Sequence, residues 1–204
     1  MVDKLKKIPS RRIIAGTAVA LVVLFIVSGL FAFATESSAR KNGSLATKYM
    51  QAEDFAWSGI AVKDGATVTT DNDPQMVTEY PGRLTSIRFY MEHSKHPGEM
   101  TVYYTQPGDP GFSVQKRIWI TPVQGQPGWY IMETNMKNVS AIRIDPTMYA
   151  GNVLEFGDFI INEEKAFADY FTVSYGDVFN LILYTGIISS VLKFLQEMLK
   201  KQFD

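Results

Sequence analysis

The sequence predicts a mainly β protein. An antiparallel, jelly-roll-like β-sandwich lies between an N-terminal transmembrane helix and a C-terminal hydrophobic or amphipathic helix. Three observations predict this: an uncharged apolar run near the N-terminus, short segments of alternating polarity in the middle, and a second apolar run near the C-terminus. The expected divisions are a basic cytoplasmic tail (1–12), a transmembrane helix (13–34), a linker (35–53), the sandwich (54–162), a connector (163–177) and a second membrane-associated helix (178–204).

The first apolar run, residues 13–34, contains no charged residue. At about 1.5 Å per residue it forms a helix of about 33 Å, which matches a hydrocarbon core of about 30 Å. Basic residues are more numerous before the run than after it, so the positive-inside rule places the N-terminus in the cytoplasm and the rest of the chain outside. The preceding basic residues are Lys4, Lys6, Lys7, Arg11 and Arg12, and those that follow closely are Arg40 and Lys41.

A cleaved signal peptide is the alternative for this run. Ala32, Phe33 and Ala34 match the small-residue pattern of a cleavage site. The run is longer than the apolar core of a signal peptide, which is about 7–15 residues, so a retained anchor is favoured.

The middle of the chain alternates short β-type runs with turn residues. About seven such runs, with no helical periodicity between them, are typical of an antiparallel sandwich. Clusters such as Asp71-Asn72-Asp73-Pro74 separate them. The candidate strands are 66–70, 84–92, 100–105, 116–121, 129–134, 140–145 and 153–162.

Alternation within these runs separates an inner face from an outer face. Ile87 and Phe89 share one face of their strand, whereas Arg88 and Tyr90 share the other. The same pattern leaves a set of aromatic and arginine side chains for an outer sheet face. These glycan-binding candidates are Arg88, Tyr90, Tyr103, Arg117, Trp119 and Arg143.

Aromatic rings beside guanidinium groups suit sugar binding, because the rings stack on sugar CH groups and the guanidiniums donate hydrogen bonds to hydroxyls. The alternative is purely structural, since cross-strand pairs of Tyr, Trp and Arg stabilise many sheets without binding a ligand. The sequence leaves both interpretations open.

Three segments resemble a known kind of domain. They are MTVYYTQPGDPGF at 100–112, VSAIRIDP at 139–146 and GNVLEFGDFII at 151–161. In this order they resemble a β-sandwich, carbohydrate-binding-like domain found beside bacterial cell-envelope glycosyltransferases and polysaccharide-synthesis proteins. The resemblance implies a bacterial cytoplasmic membrane protein with an extracytoplasmic sandwich. The chain has no nucleotide-sugar domain or multi-span bundle, so catalysis would belong to a partner.

The second apolar run, residues 178–195, is near the lower length limit of a spanning helix and contains Asn180 and Lys193. Lys200 and Lys201 follow it, as the positive-inside rule favours for a helix that returns to the cytoplasm. A two-helix hairpin is therefore favoured, and an amphipathic helix at the membrane surface or against a partner is the alternative. Small polar residues at 185–186 and 189–190 are typical of helix contacts in lipid.

The sequence contains no phosphate loop, nucleophile elbow or dinucleotide fingerprint. His93 and His96 are too few for a metal site with three or four ligands, so we expect neither a metal nor a cofactor. A structural calcium ion held by aspartates in turns stays open. Nothing singles out Glu92 or Glu133 as a catalytic carboxylate.

Three hypotheses follow. The favoured one is a membrane-anchored, non-catalytic accessory subunit of a cell-envelope polysaccharide or glycosyltransferase system, whose sandwich binds glycan or positions a partner enzyme. The second is a structural subunit of a membrane complex, with the sandwich mediating protein contacts, and the third is a membrane-bound glycan hydrolase. The expected partners are membrane lipid, a polysaccharide, and either a membrane-embedded protein or a second copy of the chain. The formal charge of -1 gives no reason to expect nucleic acid.

Overall fold

The structure, a computed structural model, describes residues 8–203, apart from the side chains of residues 200, 202 and 203. Lys4, Lys6 and Lys7 of the expected basic tail lie outside the described residues. The chain divides into two compact units. One is formed by residues 39–164, and the other by the two ends of the chain.

The unit formed by the chain ends contains a pair of long helices, α1 (Ser10–Lys41) and α2 (Tyr175–Phe203). Both helical regions are long and apolar enough to cross a membrane. A short 3-10 helix, Phe167–Phe171, precedes α2. Ser174 and Asp177 begin α2 with a reciprocal cap, in which the Ser174 hydroxyl accepts from the Asp177 backbone N–H at 3.1 Å and the Asp177 carboxylate accepts from the Ser174 N–H at 2.8 Å.

The two helices pack antiparallel. At one end, the Gln196 side chain donates a hydrogen bond to the Ile8 carbonyl at 3.0 Å. At the other end, the Phe33 ring meets the Phe167 ring edge-on, with centroids 4.9 Å apart. The helix pair is therefore held by a buried amide near one end and by aromatic packing near the other.

Within residues 39–164, ten strands form one antiparallel hydrogen-bonded sheet, which curls into a sandwich. The central order is β3-β4-β10-β5-β9-β6-β7, with β1 paired to β10, β2 to β5 and β8 to β9. The strands are β1 (Lys48–Met50), β2 (Ala56–Ser58), β3 (Ile60–Lys63), β4 (Ala66–Thr69), β5 (Gln75–His93), β6 (Thr101–Thr105), β7 (Arg117–Trp119), β8 (Thr121–Pro122), β9 (Trp129–Asp145) and β10 (Val153–Ile161).

The sheet curls because β5 and β9 each bend and contribute one half to each layer. The N-terminal half of β5 and the C-terminal half of β9 pair in the first layer, together with β2, β6 and β7. The other two halves pair in the second layer, together with β10, β8, β1, β3 and β4. The bend in β5 falls at Pro81 and Gly82, where the pairing register shifts. The bend in β9 falls at Asn138, whose φ of 56° is in the left-handed region that Asn tolerates.

The core lies between the layers and contains the predicted inward residues. Phe89 and Phe159 stack with centroids 5.2 Å apart, and both are fully buried. The other large, fully buried side chains are Met76, Leu84, Ile87, Met91, Met132, Ile142, Ile144, Ile161, Val102 and Val139. The observed fold is therefore the predicted one: a sandwich that is preceded and followed in the sequence by a long helix.

The structure corrects several of the predicted strands. The segments 129–134 and 140–145 belong to one bent strand, β9, because residues on both sides of Asn138 pair with β5. The strands β1, β2 and β3 were not predicted, because strands of three or four residues show too little alternation.

The expected linker, 35–53, contains regular structure. Helix α1 continues through Lys41, and β1 pairs with β10. Hydrogen bonds also tie this segment to the sandwich: the Asn162 carbonyl accepts from the Arg40 guanidinium at 3.0 Å and from the Thr47 hydroxyl at 2.8 Å. Composition alone predicted only a linker, because the partners of Arg40 and Thr47 lie more than 100 residues away in the sequence.

Candidate functional site

The six predicted glycan-binding residues do not share one surface. Four lie on the outer face of the first layer: Tyr103, Arg117, Trp119 and Arg143. We call this set the Trp119 face. Arg88 and Tyr90 instead lie on the outer face of the second layer, because the bend in β5 separates them from the first layer.

Strand register assembles the Trp119 face. Tyr103 of β6 pairs with Arg117 of β7 on one side and with Arg143 of β9 on the other. Trp119 lies two residues beyond Arg117 and therefore projects from the same side of the sheet. Alternate residues of these strands, such as Val102, point into the core.

Arg143 is held rigidly in the floor of this face. Its guanidinium donates to Asp145 at 2.6 and 2.8 Å and to Asp73 at 2.6 Å, and lies 4.8 Å from the Tyr103 ring centroid. Its side chain is only 16% exposed. Burial acts to lower the pKa of Arg143, but the hydrogen bond and charge of Asp145, with the charge of Asp73, outweigh burial and raise that pKa. Arg143 thus stays charged and fixes the Tyr103 ring.

Trp119 and Arg117 are the accessible part of the face. Trp119 is 48% exposed, and the Arg117 guanidinium lies 4.4 Å from its ring centroid. Within residues 8–203, no side-chain or backbone acceptor binds the Arg117 guanidinium. The donors of Arg117 and part of the Trp119 ring are therefore available to a ligand.

The second-layer cluster, formed by Arg88, Tyr90 and Trp129, is more closed. The Arg88 guanidinium lies 4.2 Å from the Trp129 ring centroid and donates to Glu163 at 3.1 Å and to Gln126 at 2.6 Å. Tyr90 meets Trp129 edge-on at 5.8 Å. Sequence analysis missed Trp129, although the alternation of β9 places it opposite Tyr90.

Tyr90 is fixed by its neighbours. A side chain at either Gly128 or Gly157 would contact its ring, so these glycines leave room for it. Its hydroxyl donates to Glu92. This hydrogen bond, with burial and the charges of Glu92 and Glu155, raises the pKa of Tyr90. The second-layer cluster therefore offers fewer free groups than the Trp119 face.

Two hollows open elsewhere on the sandwich. The first, of about 430 Å³, has Trp57 and Phe156 among its lining residues, together with Gln51, Thr67 and Glu155. The Trp57 ring nitrogen donates to the Ala52 carbonyl at 2.9 Å, so its polar group is already used. Sequence analysis missed this hollow because strand β2, which carries Trp57, is too short to show a pattern.

The second hollow, of about 470 Å³, contains both histidines of the chain. His93 Nε2 donates to the Pro146 carbonyl at 2.9 Å, and His96 Nδ1 accepts from the Gly98 N–H at 3.0 Å. Burial lowers the pKa of His93, the charge of His96 lowers it further, and the bond to Pro146 opposes both effects. Across the residues that the structure describes, no three His, Cys, Asp or Glu side chains are grouped to hold a metal ion.

Comparison with known proteins yields structural neighbours only. No family model and no curated protein matches the chain. Similar solved structures include the family 6 carbohydrate-binding module from Clostridium cellulolyticum in complex with xylose, with 9% identity over 57% of this chain and 97% of that chain and a TM-score of 0.40. A β-1,3-glucan-binding family 6 module from Bacillus halodurans has 14% identity over 57% of this chain and 96% of that chain, with a TM-score of 0.38.

A low-affinity xylan-binding module from Roseburia intestinalis has 10% identity over 57% of this chain and 94% of that chain, with a TM-score of 0.38. The neighbours are carbohydrate-binding modules, the kind of domain that the sequence resembles. At these identities and TM-scores the likeness supports no conclusion about what this chain binds. The association with glycosyltransferases stays a prediction.

Proposed function

We propose that the chain is a membrane-anchored, non-catalytic accessory protein of a cell-envelope polysaccharide system, and that it binds glycan through the Trp119 face. One observation carries the proposal: a half-exposed Trp119 ring lies beside an Arg117 guanidinium that has free donors. The proposal rests on this surface chemistry and not on the neighbouring folds.

The chemistry suits a sugar ring. The CH groups of a pyranose stack on an aromatic face, as in other contacts between apolar groups and π systems. The Arg117 guanidinium donates in a fixed plane and pairs with adjacent hydroxyls. Because Tyr103 and Arg143 hold the floor rigid, little ordering is required on binding. One exposed ring and one free guanidinium predict a weak site, with a Kd of about 0.1–1 mM.

The helix pair supports the membrane part of the proposal. The sandwich lies between α1 and α2 in the sequence. If both helices cross the bilayer, both chain ends lie on one side and the sandwich lies on the other. The positive-inside rule assigns the chain ends to the cytoplasm, because Arg11 and Arg12 lie in the first turn of α1 and Lys201 lies in the last turn of α2.

The hydrolase alternative requires a pair of carboxylates that is free to act as acid and base or nucleophile. The two carboxylates beside the Trp119 face, Asp73 and Asp145, both accept hydrogen bonds from Arg143. Because both carboxylates are already bound by Arg143, neither is free to act as an acid, base or nucleophile. This favours a structural role for the pair and supports the non-catalytic proposal.

The test uses the full-length chain in lipid nanodiscs, incubated with a panel of cell-envelope polysaccharides and with xylan and β-1,3-glucan. We expect saturable binding to at least one of them. Trp119→Ala and Arg117→Ala should each weaken it at least tenfold, whereas Tyr49→Ala, which removes a 70% exposed aromatic residue from the second layer, should not. Absence of binding to every polysaccharide would contradict the proposal.

A structural subunit remains the second candidate, because Trp, Tyr and Arg are also the residues that concentrate binding energy at protein interfaces. It predicts a different result from the same variants: Trp119→Ala would release a co-purifying membrane protein, and no polysaccharide would bind the native chain.

A further inference from the structure

Arg117 brings an uncompensated positive charge to the exposed end of the Trp119 face. Its guanidinium lies 4.4 Å from the Trp119 ring centroid, and among the described residues no carboxylate binds it. The two neighbouring cations differ in this respect, because Lys116 forms an ion pair with Asp109 and Arg143 is bound by two carboxylates. Arg117 is therefore the cation of this surface that still lacks a counter-charge.

The carboxylates of the same layer lie at a distance from Arg117. Asp73 and Asp145 both accept from Arg143, so these three groups carry a net charge of −1 when both carboxylates are ionised. Strand β6 separates β7, which carries Arg117, from β9, so the net charge lies about two strand spacings, or about 10 Å, away. Because Coulomb energy varies inversely with distance, an anion in contact with Arg117 at about 4 Å gains more than twice what it loses to this net charge.

We propose that the Trp119 face selects an acidic glycan, in which Arg117 binds the carboxylate of a sugar whose ring stacks on Trp119. The inference rests on the glycan-binding function proposed above and narrows its substrate class. A carboxylate accepts two hydrogen bonds from one guanidinium and also supplies the opposite charge, whereas neutral hydroxyls supply only the hydrogen bonds. The contact with Trp119 already orients the guanidinium, so less side-chain freedom is lost on binding.

A single uronic acid unit can reach both groups. Its carboxylate is attached directly to the pyranose ring, and Arg117 and Trp119 project from the same side of β7 with the guanidinium against the indole. The CH groups of the sugar ring can therefore cover Trp119 while the carboxylate meets Arg117. An acidic side chain of a protein partner would supply the carboxylate without the ring that covers Trp119, so a glycan fits the pair of groups better.

The test uses the full-length chain in nanodiscs of zwitterionic lipid, so that the bilayer adds no net charge. The probes are matched pairs: oligosaccharides of galacturonic, glucuronic or mannuronic acid, and the same oligosaccharides with every carboxylate reduced to a primary alcohol. At low salt we expect at least one acidic oligosaccharide to bind about three- to tenfold more tightly than its reduced partner. The ratio should approach one at high salt, because exposed ion pairs are screened.

Arg117→Gln removes the charge but keeps an amide donor, and it should reduce the ratio of the two affinities to about one. Arg117→Lys keeps the charge without the planar pair of donors, so it should retain part of the preference. Lys63→Gln is the matched control, because it removes one positive charge from an exposed position on β3 in the second layer. It should leave the preference for the acidic oligosaccharide unchanged.

The outcomes separate this inference from the glycan-binding proposal. A native chain that binds glycan, but binds each acidic oligosaccharide no more tightly than its reduced partner, would overturn the acidic preference alone. A preference that survives Arg117→Gln, or that Lys63→Gln abolishes to the same extent, would also overturn it, since overall charge would then be the cause. If no oligosaccharide of any pair and no polysaccharide of the panel binds, the glycan-binding proposal fails and the acidic preference fails with it.

Discussion

The Arg117 guanidinium lies 4.4 Å from the ring centroid of Trp119, two residues further along β7. Strand alternation places both side chains on the outer face, and Trp119 stays 48% exposed with the guanidinium against its ring. The cation–π contact therefore orients the ring while leaving area for a ligand.

Trp119→Phe tests whether ring area determines affinity. Phe keeps an aromatic face but presents a smaller one, so we expect it to weaken polysaccharide binding by about 0.5–1.5 kcal/mol, less than Trp119→Ala does. Because the residue is half-exposed, either variant should change the free energy of unfolding by less than about 1 kcal/mol. Titration of nanodisc-embedded protein measures affinity, and a thermal scan measures stability. Equal loss in both variants would show that the indole N–H, not ring area, is required.

Arg143 should be needed for stability more than for binding. Arg143→Ala leaves Asp145, which is only 12% exposed, without its partner, so we expect a loss of about 3 kcal/mol in the free energy of unfolding. Asp73→Asn is the matched control: Asp73 is 66% exposed, and removing its charge should cost about 1 kcal/mol or less. Denaturant unfolding followed by tryptophan fluorescence reports on the sandwich. Similar losses in both variants would contradict the buried role of the Arg143–Asp145 pair.

The fold was largely predictable from the sequence, whereas the site was only partly so. Period-two alternation identified Ile87 and Phe89 as core residues, because it is a local signal. Alternation also predicted that the four residues of the Trp119 face point outward. Alternation could not show that Arg88 and Tyr90 lie on the opposite face, since the bend at Pro81 and Gly82 reassigns half of β5 to the other layer.

Other parts of the site depend on contacts between distant segments, which local patterns do not contain. Asp73 and Arg143 lie 70 residues apart in the sequence and yet share a hydrogen bond. Trp129 follows a turn of Gly, Gln and Pro, and only its pairing with Tyr90 places it in the second-layer cluster. The sequence therefore predicted which residue types would face outward, but not which of them would already be paired.

Asn162 should be a major stabilising residue of the sandwich. Its side chain donates to Tyr80 at 2.7 Å and to the Arg83 carbonyl at 2.8 Å, and accepts from the Thr85 backbone N–H at 2.7 Å. It is fully buried. Asn162→Gly removes these bonds and leaves buried groups unpaired, so we expect a loss of about 3 kcal/mol or more in the free energy of unfolding.

Asn162→Ala should cost about 1 kcal/mol more than Asn162→Gly. The φ of Asn162 is 54°, a left-handed value at which Ala carries a Cβ penalty and Gly does not. Denaturant unfolding of the two variants measures this difference. If Ala were the more stable of the two, the backbone argument would be wrong.

Stability should fall as the pH drops below about 6.5. The pKa of His93 is lowered in the folded protein, mainly by burial, from an ordinary value of about 6.5. The unfolded chain therefore binds a proton at a pH where the folded chain does not. The contribution of neutral His93 to the free energy of unfolding is therefore fully present above about pH 7. It is lost as the pH falls below about 6.5, and the free energy of unfolding then changes by at most about 1.4 kcal/mol per pH unit.

His93→Gln should abolish that slope between pH 7.5 and 5.5 while keeping a donor for the Pro146 carbonyl. The pKa of Asp109 is lowered by its hydrogen bond to Lys116, and the loss of stability linked to it begins only near pH 4. The losses of stability linked to His93 and to Asp109 therefore occur in different pH ranges. A slope that persists in His93→Gln would assign the titration to another group.

Cysteine labelling can establish the membrane topology, because the native chain contains no cysteine. The spanning hairpin predicts that a membrane-impermeant maleimide labels Lys63→Cys in intact cells but labels Ser10→Cys and Lys201→Cys only after permeabilisation. All three positions are exposed. If α2 instead lay on the outer membrane surface, Lys201→Cys would react without permeabilisation while Ser10→Cys stayed protected.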